Sequence, residues 1–285
     1  VGTHLAAIQR GNRTIVPKLS VITTVFNAVP HLRTSLDSLY AQSFTDYEVI
    51  LVDDGSNDGS EEILREYLNK PNTRLLKNAN NEGIPISRNR ALLIARGEYV
   101  AIHDGDDISL ETRLQKEVEY LDTHPDICVV GTYAYKINQG GKVMGTMSYP
   151  PTETTEAFRI IKSYKLNPII DSSCMYRRNV ILSQGGYSMA PDMKTSLDLH
   201  LWCRLLCKGY KLSNIQEPLI KYRINPKGVT QTQHKEMLES TENIVATFRR
   251  NNFEDLVLIE SFFNKDYYTE ILNNNNGEKN DNKQW

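Results

Sequence analysis

Strand-like and helix-like hydrophobic periods alternate along the first hundred residues. Residues 18–26 (KLSVITTVF) form a short β-branched run that reads as a buried strand, broken by Asn27-Ala28-Val29-Pro30. Residues 31–42 then place Leu32, Leu36 and Leu39 at helical spacing. Residues 47–52 (YEVILV) predict a second strand, ended by Asp53-Asp54-Gly55-Ser56. Residues 60–69 predict a helix with Ser60 as N-cap and Glu61 and Glu62 in its first turn. A third strand follows at 73–77, a helix at 86–96 closed by Gly97, and a fourth strand at 99–103 ended by Asp104-Gly105-Asp106-Asp107. This order predicts an α/β fold, Rossmann-like, with a mostly parallel central sheet and helices on both faces. Ligands in such folds bind beyond the carboxyl ends of the strands, where the acidic clusters fall.

The pattern changes after residue 110. Helices are predicted at 110–124, 153–163 and 197–208, and strands at 127–137, 142–148, 169–176, 210–212 and 218–223. Gly140-Gly141 marks a turn between two of those strands. Residues 232–250 and 253–272 read as two further helices, a C-terminal appendage, and 273–285 as a polar, Asn-rich, disordered tail. The expected organisation is therefore a flexible lead-in (1–16), a ligand-binding half (17–110), a second half (111–227), a helical extension (228–272) and the tail.

Composition narrows the function classes. With 285 residues and 40% apolar content the chain can bury a large core. A net charge of −2 offers no broad basic field, so no nucleic-acid partner is expected. No apolar run is long enough to span a membrane, and no basic-then-apolar leader opens the chain. The chain begins at Val1, which leaves room for an upstream segment. The cysteines, Cys128, Cys174, Cys203 and Cys207, form no CxxC pair and read as reduced core thiols, placing the protein in the cytoplasm.

Asp104, Asp106 and Asp107 put three carboxylates within four residues at a strand end. Their mutual repulsion calls for a cation or strong donors, and hard oxygens at this density suit Mg²⁺ or Mn²⁺ bridged to phosphates. A solvated turn is the competing reading. Asp53-Asp54 can accept bonds from a base or ribose, or simply start the next helix. Gly83 permits close backbone approach, and Arg88 either reaches a diphosphate or is a surface arginine.

Six stretches carry a resemblance: PKLSVITTVFN (17–27), YEVILVDDGSNDGS (47–60), NNEGIPISRNRAL (80–92), GEYVAIHDGDD (97–107), DSSCMYRRNVILSQGGY (171–187) and LDLHLWCRLLCKGYKL (197–212). In this order and spacing the chain resembles the family 2 glycosyltransferases, which have the GT-A fold. The resemblance implies a nucleotide-sugar donor, most often a UDP-sugar, and a saccharide or lipid-linked saccharide acceptor in surface polysaccharide synthesis. It implies Mn²⁺ or Mg²⁺ as cofactor and an inverting reaction. It places Thr24 and Asp54 at the nucleotide base, with Asn27 and Asp53 beside them, and Arg88 near the base or diphosphate. Asp104 falls near ribose or metal, Asp106 at the metal, and Asp198 at the catalytic base. Two departures stand out. The usual Glu before the base is Leu197 and the Asp two residues after it is His200; the His of a Tyr-Arg-x-His stretch is Asn225. These departures motivate an alternative, a weakly active or inactive nucleotide-sugar-binding module of the same fold. A phosphohydrolase with an aspartate nucleophile fits less well, because its motif follows the first strand. The extension carries Arg249-Arg250, Phe262-Phe263 and Tyr267-Tyr268, which suit a peripheral contact with the inner membrane face, a homodimer, or packing on the main domain.

Overall fold

The computed structural model describes residues 16–190, 195–226 and 228–250. The predicted helix at 253–272, the tail and nearly all of the lead-in lie outside the described residues.

The first half alternates as its periodicity predicts. Strands β1 (Leu19–Val25), β2 (Tyr47–Asp53), β3 (Thr73–Lys77) and β4 (Tyr99–Ile102) are separated by helices α1 (Val29–Tyr40), α2 (Ser60–Glu66) and α3 (Ile84–Ile94). They pair in parallel in the order β3-β2-β1-β4. Their side chains alternate between two cores: Ile50, Val52, Val100 and Ile102 face one layer, and Val49, Leu51, Tyr99 and Ala101 the other. Both faces are covered, which is why these strands read as continuous apolar runs. Leu32, Leu36 and Leu39 of α1 are wholly buried in the second layer; truncating any one to Ala costs about 2–5 kcal/mol.

The second half contains β5 (Ile108–Ser109), α4 (Arg113–Thr123), β6 (Ile127–Ile137), β7 (Val143–Met147), α5 (Thr154–Tyr164), β8 (Met175–Arg177), α6 (Arg178–Ser183), α7 (Leu197–Cys207), β9 (Lys211–Arg223), α8 (Val229–Thr232) and α9 (His234–Arg250). The sheet continues from β4 through β8, β6 and β9 to β5, with β7 paired to β6. Here β8 is antiparallel to both neighbours and β6 is parallel to β9, so this half is mixed. Helices α1, α2 and α4 cover one face, and α3, α5, α6, α7 and α9 the other.

Several boundaries depart from expectation. The segment 169–176 is not one strand: Asp171–Ser173 forms a 3-10 turn closed by Ser173 N–H to Ile170 O (2.9 Å), and only Met175–Arg177 joins the sheet. The strands expected at 210–212 and 218–223 are one strand, β9, with register shifts opposite Thr132 and Tyr133. Ser60 is not the cap of α2. Gly59 takes that place, and the Ser60 hydroxyl donates to Asp58 while accepting from Ala28 N–H. Helix α3 starts two residues early, at Ile84 before Pro85, and ends at Ile94. Gly97 does not stop it; a Cβ there would lie 2.5 Å from Ser20 N, so the glycine serves close approach to β1. Helix α9 packs back on the main domain through Ile244, Val245 and Phe248, with Phe248 stacked on Phe158 at 5.4 Å.

Candidate active site

The carboxyl ends of β1, β2 and β4 are adjacent, and each runs into a polar loop. Thr24 is half-buried and registers with Val52 of β2. Asn27 has φ 52° and cross-links two loops: its N–H donates to Ser56 Oγ (3.1 Å) and its Oδ1 accepts from Asn57 N–H (2.9 Å). Asp53 is wholly buried beneath this surface. Its Oδ1 accepts from Ser56 N–H (3.0 Å) and its Oδ2 has no partner. Asp54 spends both oxygens on the next loop: Oδ1 accepts from Asn78 Nδ2 (2.7 Å) and Glu82 N–H (2.9 Å), and Oδ2 from Gly83 N–H (2.8 Å). Gly83 caps α3 at φ +94°. The nearest protein atom to a Cβ there would be 3.8 Å away, so within the fold glycine is needed for its backbone angle.

Arg88 is the hub. It is 2% exposed, which overturns the surface-arginine alternative. Its Nη2 donates to Asp104 Oδ1 (3.0 Å) at the end of β4, and its Nη1 to Asp171 Oδ2 (2.6 Å) on the 3-10 turn. Its guanidinium carbon lies 5.4 Å from the centre of the Tyr187 ring. Burial would weaken the charge, but Asp171 and Asp104 hold it, so the guanidinium stays firmly protonated. Burial pushes the Asp171 carboxyl up to about 7; Arg88 opposes this, while Asp198 and Asp104 add to it. These charges therefore feel one another.

The carboxylates after Asp104 are held by the end of β9. Arg223 donates from N–H to Asp107 Oδ1 (2.8 Å) and from Nε to Asp106 O (2.8 Å). Asn225 Nδ2 donates to Asp106 Oδ2 (2.9 Å). Burial raises the Asp106 carboxyl, with Asn225 opposing and Asp104 adding. Asp107 is pushed far up by burial, then by Asp106 and Asp104, with Ser172 and the Arg223 amide opposing. Beneath them, His103 bonds Ser35 (2.8 Å) and Ser109 (3.0 Å), and Ser35 Oγ donates to Asp104 O (2.9 Å). Burial and Arg113 bring His103 down to about 3, so it acts as a neutral spacer.

Asp198 lies in the first turn of α7, and its Oδ2 accepts from Asn167 Nδ2. Burial raises its carboxyl; the Leu199 amide and Arg88 act against that shift. His200 and Leu197, which flank Asp198, are both buried.

Thus Arg88 joins Asp104 to Asp171, and Asp198 lies close enough to act on both Arg88 and Asp171. Asp54 and Gly83 form a separate cluster, and Asp53 is beneath it. Asp171, Asn167 and Asn78 were not singled out from sequence, and Arg223 entered only as the arginine of the Tyr-Arg-x-His stretch. Of the first three only Asp171 carried a local signal, a carboxylate at the start of a matching stretch, and the periodicity assigned it to a strand.

No group of three or more His, Cys, Asp or Glu among the described residues encloses a metal site. The donor set still fits Mg²⁺ or Mn²⁺, which take one or two carboxylates and complete their shell with water and phosphate. Asp104 is about one-third exposed, and Asp106 follows it two residues on, with its Oδ2 bonded to Asn225.

The profile of Glycosyl transferase family 2 matches residues 20–183, more than half of the chain. An uncharacterised glycosyltransferase of Methanocaldococcus jannaschii, MJ1057, is 34% identical over 213 residues, covering 73% of this chain and 71% of its own. WbnJ, an O-antigen biosynthesis glycosyltransferase of Escherichia coli, is 28% identical over 76% of this chain and 84% of its own. Among solved structures, S. aureus TarS 1–349 in complex with UDP-GlcNAc aligns with a TM-score of 0.62 at 22% identity, covering 83% of this chain and 73% of that one. The mannosyltransferase PcManGT of Pyrobaculum calidifontis, in complex with GDP-Man and Mn²⁺, aligns with a TM-score of 0.63 at 17% identity, covering 94% and 77%. At those identities the structures speak for the fold, which is GT-A. With the profile over more than half its length and a relative 34% identical over 73% of its residues, the chain belongs to glycosyl transferase family 2.

Proposed function

We propose that the protein is an inverting, metal-dependent glycosyltransferase. It moves a sugar from a nucleotide-sugar, a UDP-sugar by preference, to a hydroxyl of a saccharide or lipid-linked saccharide in surface polysaccharide synthesis. The observation that carries this reading is Arg88, one buried guanidinium forked between Asp104 and Asp171, with the charge of Asp198 acting on the same pair. The nucleotide-sugar complexes of TarS and PcManGT and the O-antigen role of WbnJ support the donor and acceptor classes.

In this reading Thr24, Asn27 and Gly83 line the base. Asp54 shapes the loop that faces it, and Asp53 shapes the turn below without touching the ligand. Arg88 fixes Asp104 toward the ribose and diphosphate. Asp104 and Asp106 would hold Mn²⁺ or Mg²⁺, which when bound offsets charge on the leaving diphosphate. Asp198 accepts the proton of the acceptor hydroxyl as that oxygen bonds to the anomeric carbon. The bond from that carbon to the diphosphate breaks on the opposite face, and the proton ends on Asp198. Burial makes Asp198 a stronger base than an exposed aspartate. None of the described helices is long and apolar enough to cross a membrane; the enzyme is proposed to work in the cytoplasm or peripherally at the inner membrane face.

The test is nucleoside diphosphate release across a panel of UDP-, dTDP- and GDP-sugars with and without Mn²⁺. Release from one donor, stimulated by the metal, is expected. Clear donor binding with no release would replace this reading with a binding module.

A further inference from the structure

A carboxylate base works best with one oxygen held and the other open to the hydroxyl. Position 197 cannot help to hold it, because Leu197 is buried in the apolar cluster. The residue that meets the carboxylate comes from elsewhere. Asn167 Nδ2 donates to Asp198 Oδ2, and Asn167 Oδ1 accepts from Ile169 N–H (3.3 Å), so flipping the amide would lose both contacts. Pro168 follows and biases Asn167 to an extended backbone. A buried asparagine of β9 fixes this segment: Asn214 Nδ2 donates to Pro168 O (3.0 Å) and to Pro151 O (2.7 Å). The second bond ties the Asn167 loop to the loop carrying Tyr149. Tyr149 is 42% exposed overall, and the charge of Asp198 is among the influences that raise its phenol, after partial desolvation.

We infer that Asn167 is the positioning residue of Asp198: by holding Oδ2 it fixes the orientation of the carboxylate that takes the acceptor proton. This deepens, and rests on, the reading of Asp198 as the base. Among the described residues, the charged and titratable groups around Asp198 are Arg88 from α3, Asp171 from the 3-10 turn, Tyr149 from the loop after β7, and Cys203 on its own helix. Arg88 favours the ionised carboxylate and Asp171 opposes it. The Asn167 amide adds to the favourable side, because a donor to the charged form stabilises that form.

The primary test does not need turnover. In protein labelled with carbon-13 at aspartate carboxyls, the Asp198 signal is identified by its loss in Asp198→Asn and titrated in each variant. In Asn167→Ala its midpoint is expected to rise by about one pH unit, and further in Asn167→Asp, where two carboxylates compete for one proton. Coincident midpoints in wild type and Asn167→Ala would overturn the inference. Should the alanine variant not fold, the near-isosteric Asn167→Asp decides, and an unshifted midpoint there overturns it equally. The second test is the pH profile of nucleoside diphosphate release from the donor that turns over. Asn167→Ala should lower kcat roughly 10- to 100-fold at unchanged donor KM and move the acid limb upward. If Asp198→Asn turns over like wild type, the base assignment fails, while the titration still reports on the contact. If Asp198→Asn is inactive and Asn167→Ala keeps the wild-type profile, the inference alone fails.

Discussion

The two halves of the site are built by different means. On the β1, β2 and β4 side, adjacent parallel strands end at one edge, and loops of successive strand-and-helix units cross-link: Asn27 to 56 and 57, Asp53 to 56, and Asp54 to 78, 82 and 83, none across more than 30 positions. On the Asp198 side the strands are mixed in direction, and the parts come from distant segments. Asn214 meets Pro168 across 46 positions, and Arg88 meets Asp171 across 83. A repeated strand-and-helix unit delivers the first half almost automatically. The second half depends on single long-range side-chain contacts, so it should be the more fragile to point changes in rate, and the first half the more fragile in binding.

That contrast can be broken experimentally. The largest effect is expected from Asp198→Asn. Removing the proposed general base should lower kcat by about 10²–10⁴-fold while donor affinity, read by calorimetry, is unchanged. Lost affinity would merge the two halves. Asp106→Ala should do the reverse, abolishing Mn²⁺ stimulation and weakening donor binding together; retained metal-stimulated turnover would remove Asp106 from the site. Arg88→Met touches both halves. It leaves Asp104 and Asp171 without their common partner and should destabilise the fold by about 3–5 kcal/mol in denaturant titration. A loss below about 1 kcal/mol would show that the carboxylates relax into solvent.

A smaller effect probes the support beneath the donor side. Glu117 is buried against Arg113 at 3.0 Å, and burial raises its carboxyl from 4.5 to about 7, with Arg113 opposing. Between those values the native state binds a proton that the unfolded chain has released, so this group makes stability fall as pH rises from 4.5 to 7. His103 acts oppositely: its fall to about 3 makes stability decline as pH drops below 6.5. Comparing Glu117→Gln with wild type cancels the His103 contribution. The stability difference should move in favour of the variant by about 2–3 kcal/mol between pH 4.5 and 7.5, and a constant difference would refute the shifted carboxyl. The smallest effect belongs to His200, whose ring nitrogens are both buried without partners. Burial, aided by Arg204, brings it down to about 3. His200→Leu should leave turnover unchanged and alter stability by no more than about 1 kcal/mol, in the stabilising direction if the cavity accepts it. A changed acceptor KM would return His200 to the site.

Legibility from sequence followed the same division. The parallel strands were readable because both faces are apolar and glycine, proline and aspartate punctuate their ends. Errors gathered where a side chain overrode local pattern. The run IIDSSCMY has strand composition, but Asp171 is drawn to buried Arg88 and the backbone turns there. Residues 210–223 read as two strands, yet β6 supplies a partner along nearly the whole length and joins them into one. Asn167 carried no signal, since an asparagine before a proline is an ordinary loop residue.

By itself the sequence determined the alternating α/β architecture, the edge at which the acidic residues gather and the family. Each follows from local periodicity and motif order, which act over a few residues at a time. Only the tertiary structure decided which carboxylates stay accessible. It buried Asp53 and Asp107, left Asp104 partly open, and set Arg88 between Asp104 and Asp171. It also supplied Asn167 as the partner of Asp198. Burial and opposite-charge contacts between distant segments govern these outcomes, and they exist only once the second half of the sheet has closed beside the first.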